Sequence, residues 1–423
     1  MSSSTTTSLF ETKKSPPSIQ WGIIGLGDVC TIKSGPAFYK SHGSKLIAVM
    51  RRTPGVARKW VAETREVVQR YNNADDEVEL RGYDSIHEMM AENMDQLDAI
   101  YVATPPGAHL ENVRQIIAAL EDATATNKNE QSRLKAIYVE KPCGRCAWET
   151  RVMIDELHHR KLLFFPAYVS RSHERTQVLR NLLSDKSIGD EVTKVQYTQR
   201  GSSFARGLDG EGIPWRLSAE HSGGGLSMDM ACHVLDRIDY LFGPVVDVKS
   251  TVLRKGGGGG SEEDGSYPLV EDYVSMKGRI GQCDWAAISS EGAIVECLWD
   301  FSPTNKNEED ELIITGTNGS LRMAGMGAGL PIEVLDVDGN VVEKIEFEAP
   351  AHAAQPLIQS IVNELREINM DEGHQKQLCL NRSPARADNA VRTSEVLDTI
   401  LNSYYGGRHD EFWTRPETWA GLK

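Results

Sequence analysis

The chain has 423 residues, a formal net charge of −15 and 25% charged residues. An acidic balance of this size argues against nucleic acid or an anionic membrane as partner, because either favours a basic face. No apolar run approaches the ~20 residues of a membrane span, and seven scattered cysteines, an odd number, give no disulfide framework.

Residues 1–18 are rich in Ser and Thr and lack the apolar core of a secretory signal. They read as a disordered leader on a cytoplasmic protein. Organisation begins at Ile19. An apolar run (Ile19, Trp21, Ile23, Ile24) ends in Gly25-Leu26-Gly27-Asp28-Val29-Cys30. After one helix-length segment a second run, Leu46 to Met50, ends in Arg51-Arg52-Thr53. Strand, glycine turn, helix and strand open a dinucleotide-binding unit. Gly25 permits the tight turn and Gly27 lets the backbone approach a pyrophosphate. Leu26, Asp28 and Val29 complete the turn, and the N–H groups of the helix start face the phosphates. Cys30 stands where the fingerprint has Gly or Ala, and Gly35-Pro36 interrupts the first helix. The end of the second strand selects the cofactor. A carboxylate there takes a ribose 2′-OH, whereas guanidiniums suit a 2′-phosphate. Arg51, Arg52 and Thr53, with no acid among them, predict NADP(H) over NAD(H).

The alternation continues with a helix over 57–71, a strand over 98–103 ending in Thr104-Pro105-Pro106-Gly107, and a helix over 109–120. Residues 122–133 are polar and without period, so they read as a surface insertion. A strand over 136–139 ends in Glu140-Lys141-Pro142; a helix over 148–160 and a strand over 162–165 follow. This predicts a doubly wound parallel sheet in a Rossmann domain spanning 19–168. Lys141 stands at a carboxyl strand end, where open α/β sheets bind ligands. It either aims its ammonium at a bound hydroxyl or carbonyl, or is solvated surface. Cys143-Gly144-Arg145-Cys146 has the spacing of a redox dithiol, or is simply a loop with two small residues.

From Glu191 the texture turns β-rich. Strands are expected over 192–200, 245–253, 271–279, 284–289, 294–301, 311–315, 320–323, 332–337 and 341–347. Their alternation predicts an antiparallel or mixed sheet with one face covered and one free. It forms an α+β domain over 169–405, closed by a helix over 385–404 and followed by a packed tail, 406–423, with Trp413 and Trp419. Within it, Trp215-Arg216 precede Gly223-Gly224-Gly225 and a helix over 227–242 that carries Asp229 and His233 one turn apart. The carboxylate can orient the imidazole as an acid/base pair; the other reading is a capping Asp and a satisfied structural His. A metal would need a further ligand, and none is apparent. Trp215 and Arg216 either contact sugar-like hydroxyls or are a core Trp beside a surface Arg.

Four segments in order, GLGDVC from Gly25, VATPPGAHLE over 102–111, VEKP over 139–142 and GGGLSMDMACH over 223–233, resemble the Gfo/Idh/MocA family (glucose–fructose oxidoreductase, inositol dehydrogenase and relatives). The resemblance runs from Ile19 to about Tyr405. It implies a Rossmann domain and an open-faced second sheet that supplies the substrate pocket and a homodimer or higher homo-oligomer interface. It also implies that Lys141 polarises or positions the reacting oxygen, that His233 is the general acid/base and that Asp229 assists it. Thr104, Pro105, Pro106 and His109 would border the cofactor, Glu140 and Lys141 would lie near the nicotinamide, and Tyr168 and Arg171 would contact substrate. The expected reaction is hydride transfer between NADP(H) and a secondary alcohol or carbonyl of a sugar, polyol or related small molecule. Two rivals share the fold: a glycosidase that retains NAD, and a non-enzymatic regulator that binds a dinucleotide and a protein partner.

Overall fold

The structure, a computed structural model, describes residues 17–72, 79–126, 132–201, 214–256, 268–283, 286–303, 305–370, 382–386, 389–409 and 411–423. The expected leader lies outside the described residues except for 17–18. Six strands, β1 (Ile19–Ile24), β2 (Ser44–Met50), β3 (Arg81–Tyr83), β4 (Ala99–Val102), β5 (Ala136–Val139) and β6 (Leu163–Pro166), form a parallel sheet in the order β3-β2-β1-β4-β5-β6. Helices cover both faces, so β2, β4 and β5 are buried along their whole length, and their sequences run apolar rather than alternating. The order reverses between β1 and β4, which sets the ligand crevice at the carboxyl ends of these strands.

The first crossover departs from a plain helix. Val29–Ser34 winds as a π-helix, with the Gly35 N–H donating to the Cys30 carbonyl. A Cβ on residue 35 would lie 2.2 Å from that oxygen, so only glycine fits. Pro36 then enters the first turn of α1 (Gly35–Lys40), where its missing N–H is harmless. The remaining helices on this sheet are α2 (Val56–Asn72), α3 (Ile86–Asn93), α4 (His109–Thr126) and α5 (Ala147–His159). The polar stretch expected as an insertion from residue 122 instead extends α4 to Thr126: Glu121 and Asp122 are exposed on a helix that meets no Gly or Pro. β3 and α3 are too short to have left a periodic signal.

After α6 (Glu174–Ser184) and β7 (Val192–Arg200) come α7 (Leu226–Phe242), β8 (Val245–Leu253), β9 (Tyr273–Ile280), β10 (Ala293–Asp300), β11 (Glu309–Gly316), β12 (Gly319–Ala324), β13 (Ile332–Leu335) and β14 (Val341–Ile345). They build an eight-stranded sheet, β14-β13-β12-β11-β7-β10-β9-β8, antiparallel except for the β10–β7 pair. Burial alternates strictly along β10, whose Ala293, Val295, Cys297 and Trp299 face the helices. The strand expected over 284–289 is not formed in its described part. Residues 286–289 make only a bridge from Ile288 to Val192.

The domain border at 168 is crossed by the last two helices. In α8 (Gln355–Met370), Leu357, Ile358, Ile361, Val362 and Leu365 are fully buried in one core with Ile19 and Trp21 of the parallel sheet and Phe38 of α1. α9 (Ala390–Tyr405) packs between α5, α7 and β8. Phe412 and Trp419 of the tail are buried against Tyr405.

Tyr168 and Arg171, expected at the substrate, are each 1% exposed. The Arg171 guanidinium pairs with Asp236 of α7 through Nε and Nη2, and donates to the Pro384 and Arg386 carbonyls and to Asn389 Oδ1. It is a buried cross-brace between segments over 200 residues apart in places, with its hydrogens committed, and Tyr168 lies against it. Burial holds the Asp236 pKa up at about 6 even with Arg171 opposing. Arg171→Met, which strands that carboxyl, should cost about 3–5 kcal/mol in urea unfolding, and Arg171→Met/Asp236→Leu should recover much of the loss.

Candidate active site

Gly25 sits at φ +99°, and a Cβ there would come to 3.0 Å from the Ala103 carbonyl, so the glycine lets the turn after β1 touch the end of β4. At Gly27 a Cβ would meet nothing within 4 Å. The backbone there borders open space, as a cradle for a pyrophosphate requires. Leu26 is nearly buried and Asp28 exposed. At the end of β2, Arg51 is half-buried and Arg52 and Thr53 are exposed. Two acids of the β3–α3 region, Asp84 and Glu88, are engaged by Arg58, and Asp84 also accepts from the Gly55 N–H.

Thr104, Pro105 and Pro106 form the turn after β4. His109, expected to border the cofactor, is fully buried one layer behind it. Its ring nitrogens face the Thr104 carbonyl at 2.6 Å and the Cys143 carbonyl at 2.8 Å, so it ties the turn after β4 to the turn after β5. Burial pushes its pKa below the ordinary value.

Lys141 follows β5 and a cis bond joins it to Pro142. Its Nζ donates to Asp229 Oδ1 at 2.7 Å and to the Asp229 carbonyl at 3.2 Å. Burial opposes the ammonium charge, but Asp229 outweighs it and the pKa lies above the ordinary value. For Asp229, burial opposes ionisation while Lys141, and after it Arg216, holds the carboxyl below its usual range. Arg216 Nε lies 3.3 Å from Asp229 Oδ2, and its guanidinium stacks on Trp215 at 4.3 Å. Asp229 thus spends its oxygens on two cations rather than on a hydrogen bond to His233. The imidazole, one turn along, is half-buried; burial first and Lys141 second push its pKa well below 6.5. The site therefore combines a charged donor with a neutral base.

Glu140 supports the lysine from below. Its Oε2 accepts the Lys141 N–H at 3.1 Å, and its Oε1 accepts from Tyr101, whose hydroxyl also meets Ser34 Oγ at 2.9 Å. Burial raises the Glu140 pKa. The Cys143 and Cys146 thiols are buried and free, and burial raises both pKa values, that of Cys146 to about 11. The loop reading of this pair fits better than a reactive dithiol.

Several supports escaped the sequence reading. Glu271, fully buried, accepts the Gly225 N–H at 3.0 Å and the Tyr405 hydroxyl. Arg408 donates to the carbonyls of Gly223 and Arg145. Arg145 pairs with Glu149, donates to the Glu220 carbonyl and stacks on Trp413 at 3.4 Å. Apart from the Arg145–Glu149 pair, one helical turn apart, these contacts join residues too far apart in the chain for local spacing to announce them.

Comparison with known proteins agrees with both halves. Residues 19–123 match the oxidoreductase family with an NAD-binding Rossmann fold, and residues 176–322 match the GFO/IDH/MocA C-terminal domain. Oxidoreductase P35 of Formosa agariphila is 25% identical over 388 residues, covering 91% of this chain and 99% of that protein. The aldose–aldose oxidoreductase of Caulobacter crescentus, solved with glycerol, superposes with a TM-score of 0.65 at 19% identity, over 91% of this chain and 97% of that one. The transcriptional regulator Gal80p of Kluyveromyces lactis superposes with a TM-score of 0.68 at 14% identity, over 92% of each chain. With a nucleotide-binding half and a sheet-bearing half both matching, and the two joined at Lys141 and Asp229, this chain belongs to the Gfo/Idh/MocA family of oxidoreductases.

Proposed function

We propose that the protein transfers hydride between NADP(H) and a secondary alcohol or ketone of a sugar, polyol or related small molecule. The observation that carries this reading is the Lys141–Asp229 pair beside a neutral His233 at the carboxyl ends of the Rossmann strands. Residues 25–29 would hold the pyrophosphate, and Arg51, Arg52 and Thr53 would hold the 2′-phosphate in a bidentate manner. Thr104, Pro105, Pro106 and Glu140 would border the nicotinamide. The bound nicotinamide supplies the hydride chemistry.

The chain's own groups handle the proton and the developing charge. In the oxidation direction, neutral His233 accepts the hydroxyl proton of the substrate. Lys141 Nζ, kept charged by Asp229, donates a hydrogen bond to the oxygen as negative charge gathers there. In the reduction direction the imidazolium returns the proton. Trp215 and Arg216, held beside Asp229, would meet substrate hydroxyls from that side. A regulator of the Gal80p kind would need neither the ammonium nor the imidazole, so their presence favours an enzyme.

Lys141→Ala and His233→Ala should each lower turnover by about 10²–10⁴-fold while NADPH binding persists; near-normal rates in both would overturn the assignment. Fluorescence titration should show tighter binding of NADPH than of NADH, with the gap closing in Arg51→Ala/Arg52→Ala. Because the lowered imidazole pKa leaves His233 neutral above pH 6.5, the acid limb of the oxidation rate should lie below pH 6.5. An acid limb above 6.5 would contradict the neutral-base assignment.

A further inference from the structure

One buried guanidinium in the second domain lacks a hydrogen-bonded counterpart among the described residues. Arg237 lies one turn beyond His233 on α7 and is 3% exposed, yet its Nε and Nη1 have no hydrogen-bond partner among the described residues. A buried guanidinium left this way is strongly unfavourable unless something else neutralises it. The neighbouring carboxylates, Asp310 and Asp236, favour its charge but hydrogen-bond to other groups. Asp236 is taken by Arg171. Asp310 of β11 accepts from the Tyr197 hydroxyl at 2.8 Å and the Met326 N–H at 3.2 Å. Arg175 is a second buried guanidinium; its Nη atoms donate to the carbonyls of Ala324, Gly325, Gly327 and Pro331, with no carboxylate among these acceptors. Asp310 faces both Arg175 and Arg237, so one carboxylate is shared between two buried guanidiniums.

The surroundings also point to a polar occupant. Gln199 and Trp299 are register partners on β7 and β10, and Gln199 is opposite Asp310 on β11. These positions share the helix-facing side of the sheet with buried Tyr197 and Leu312. Gln199 Oε1 and Trp299 Nε1 are both buried without a partner among the described residues. Arg237 is close enough to His233 for its charge to oppose protonation of the imidazole.

We infer that the site beside His233 takes a substrate whose carboxylate pairs with Arg237: an aldonic, uronic or related hydroxy acid in preference to a neutral sugar. This rests on the oxidoreductase reading above and narrows its substrate class. A carboxylate matches the guanidinium fork and cancels one charge. A phosphate would bring about −1.5 to −2 to a site with one charge to spare. Cβ atoms at i and i+4 on a helix are about 5–6 Å apart, so the carboxylate would sit a few bonds from the carbon whose hydroxyl meets His233.

The test uses NADP+-loaded full-length protein and a panel of matched probes: D-gluconate, D-glucuronate and D-galactonate against D-glucose, D-glucitol and D-galactose, with glucose 6-phosphate as the phosphate arm. Melting temperature and kcat/KM are read for wild type, Arg237→Met and Arg237→Lys. At least one acid should raise the wild-type Tm above its neutral counterpart. Arg237→Met should abolish that difference and lower the acid-to-neutral ratio of kcat/KM about 100-fold, with Arg237→Lys in between. The Arg237→Met protein without ligand should melt no lower than wild type, because the substitution removes an uncompensated buried charge. Acid-selective stabilisation lost in Arg237→Met, without turnover of any probe, would leave the anion site standing and defeat the oxidoreductase reading. Turnover of neutral sugars over acids, a preference for the phosphate, equal Tm responses of wild type and Arg237→Met across the acids, or an Arg237→Met protein that melts lower and loses acid and neutral probes alike would overturn the inference.

Discussion

The contact between Lys141 and Asp229 joins a strand end of the parallel sheet to a helix of the second domain, and the site's electrostatics follow from it. Both side chains are largely removed from water, at 15% and 11% exposure, where either charge alone would be costly. Together each sustains the other. The ammonium stays protonated and able to donate, and its field, added to burial, keeps the nearby imidazole neutral. A proton acceptor and a cationic donor then coexist within one small region, which a freely solvated pair would not achieve at the same pH.

That contact requires the two domains to approach closely, and glycine makes the approach possible. A Cβ at Gly107 would lie 2.4 Å from the Glu220 carbonyl oxygen, at Gly223 2.5 Å from that of Arg145, and at Gly225 2.1 Å from that of Glu271. The Gly223–Gly225 cluster is therefore a docking surface between backbones. Charged groups from later in the chain fix it in place: Arg408 holds the Gly223 and Arg145 carbonyls, and Glu271 holds the Gly225 N–H. A buried charge is costly once its hydrogen-bond partner is lost, so these charge-to-backbone bonds suit the holding of a register.

The same logic sorts the arginines of the second domain. Arg171 and Arg408 meet carboxylates and carbonyls throughout and act as braces. Arg237, one turn from His233, hydrogen-bonds to neither among the described residues, which sets it apart from these braces.

Much of this protein is written locally. The Rossmann strands are legible because strands covered on both faces must be continuously apolar, and the second sheet because strands covered on one face must alternate. The glycine turn, Lys141 at its strand end, and the helical spacing of Asp229 and His233 are likewise properties of short segments. Tertiary structure alone decided the rest. Short elements such as β3 and α3 carry too few residues for a period, and α8 packs on strands more than 300 residues earlier in the chain. Tyr168 and Arg171 turned from substrate contacts into a buried brace because Asp236 and the carbonyls near residue 385 reach them only in the fold. His109 sits behind the turn after β4 for the same reason. Sequence determines which groups are present and which local shape they adopt; whether a charge finds a partner depends on chain segments that meet only when the domains close.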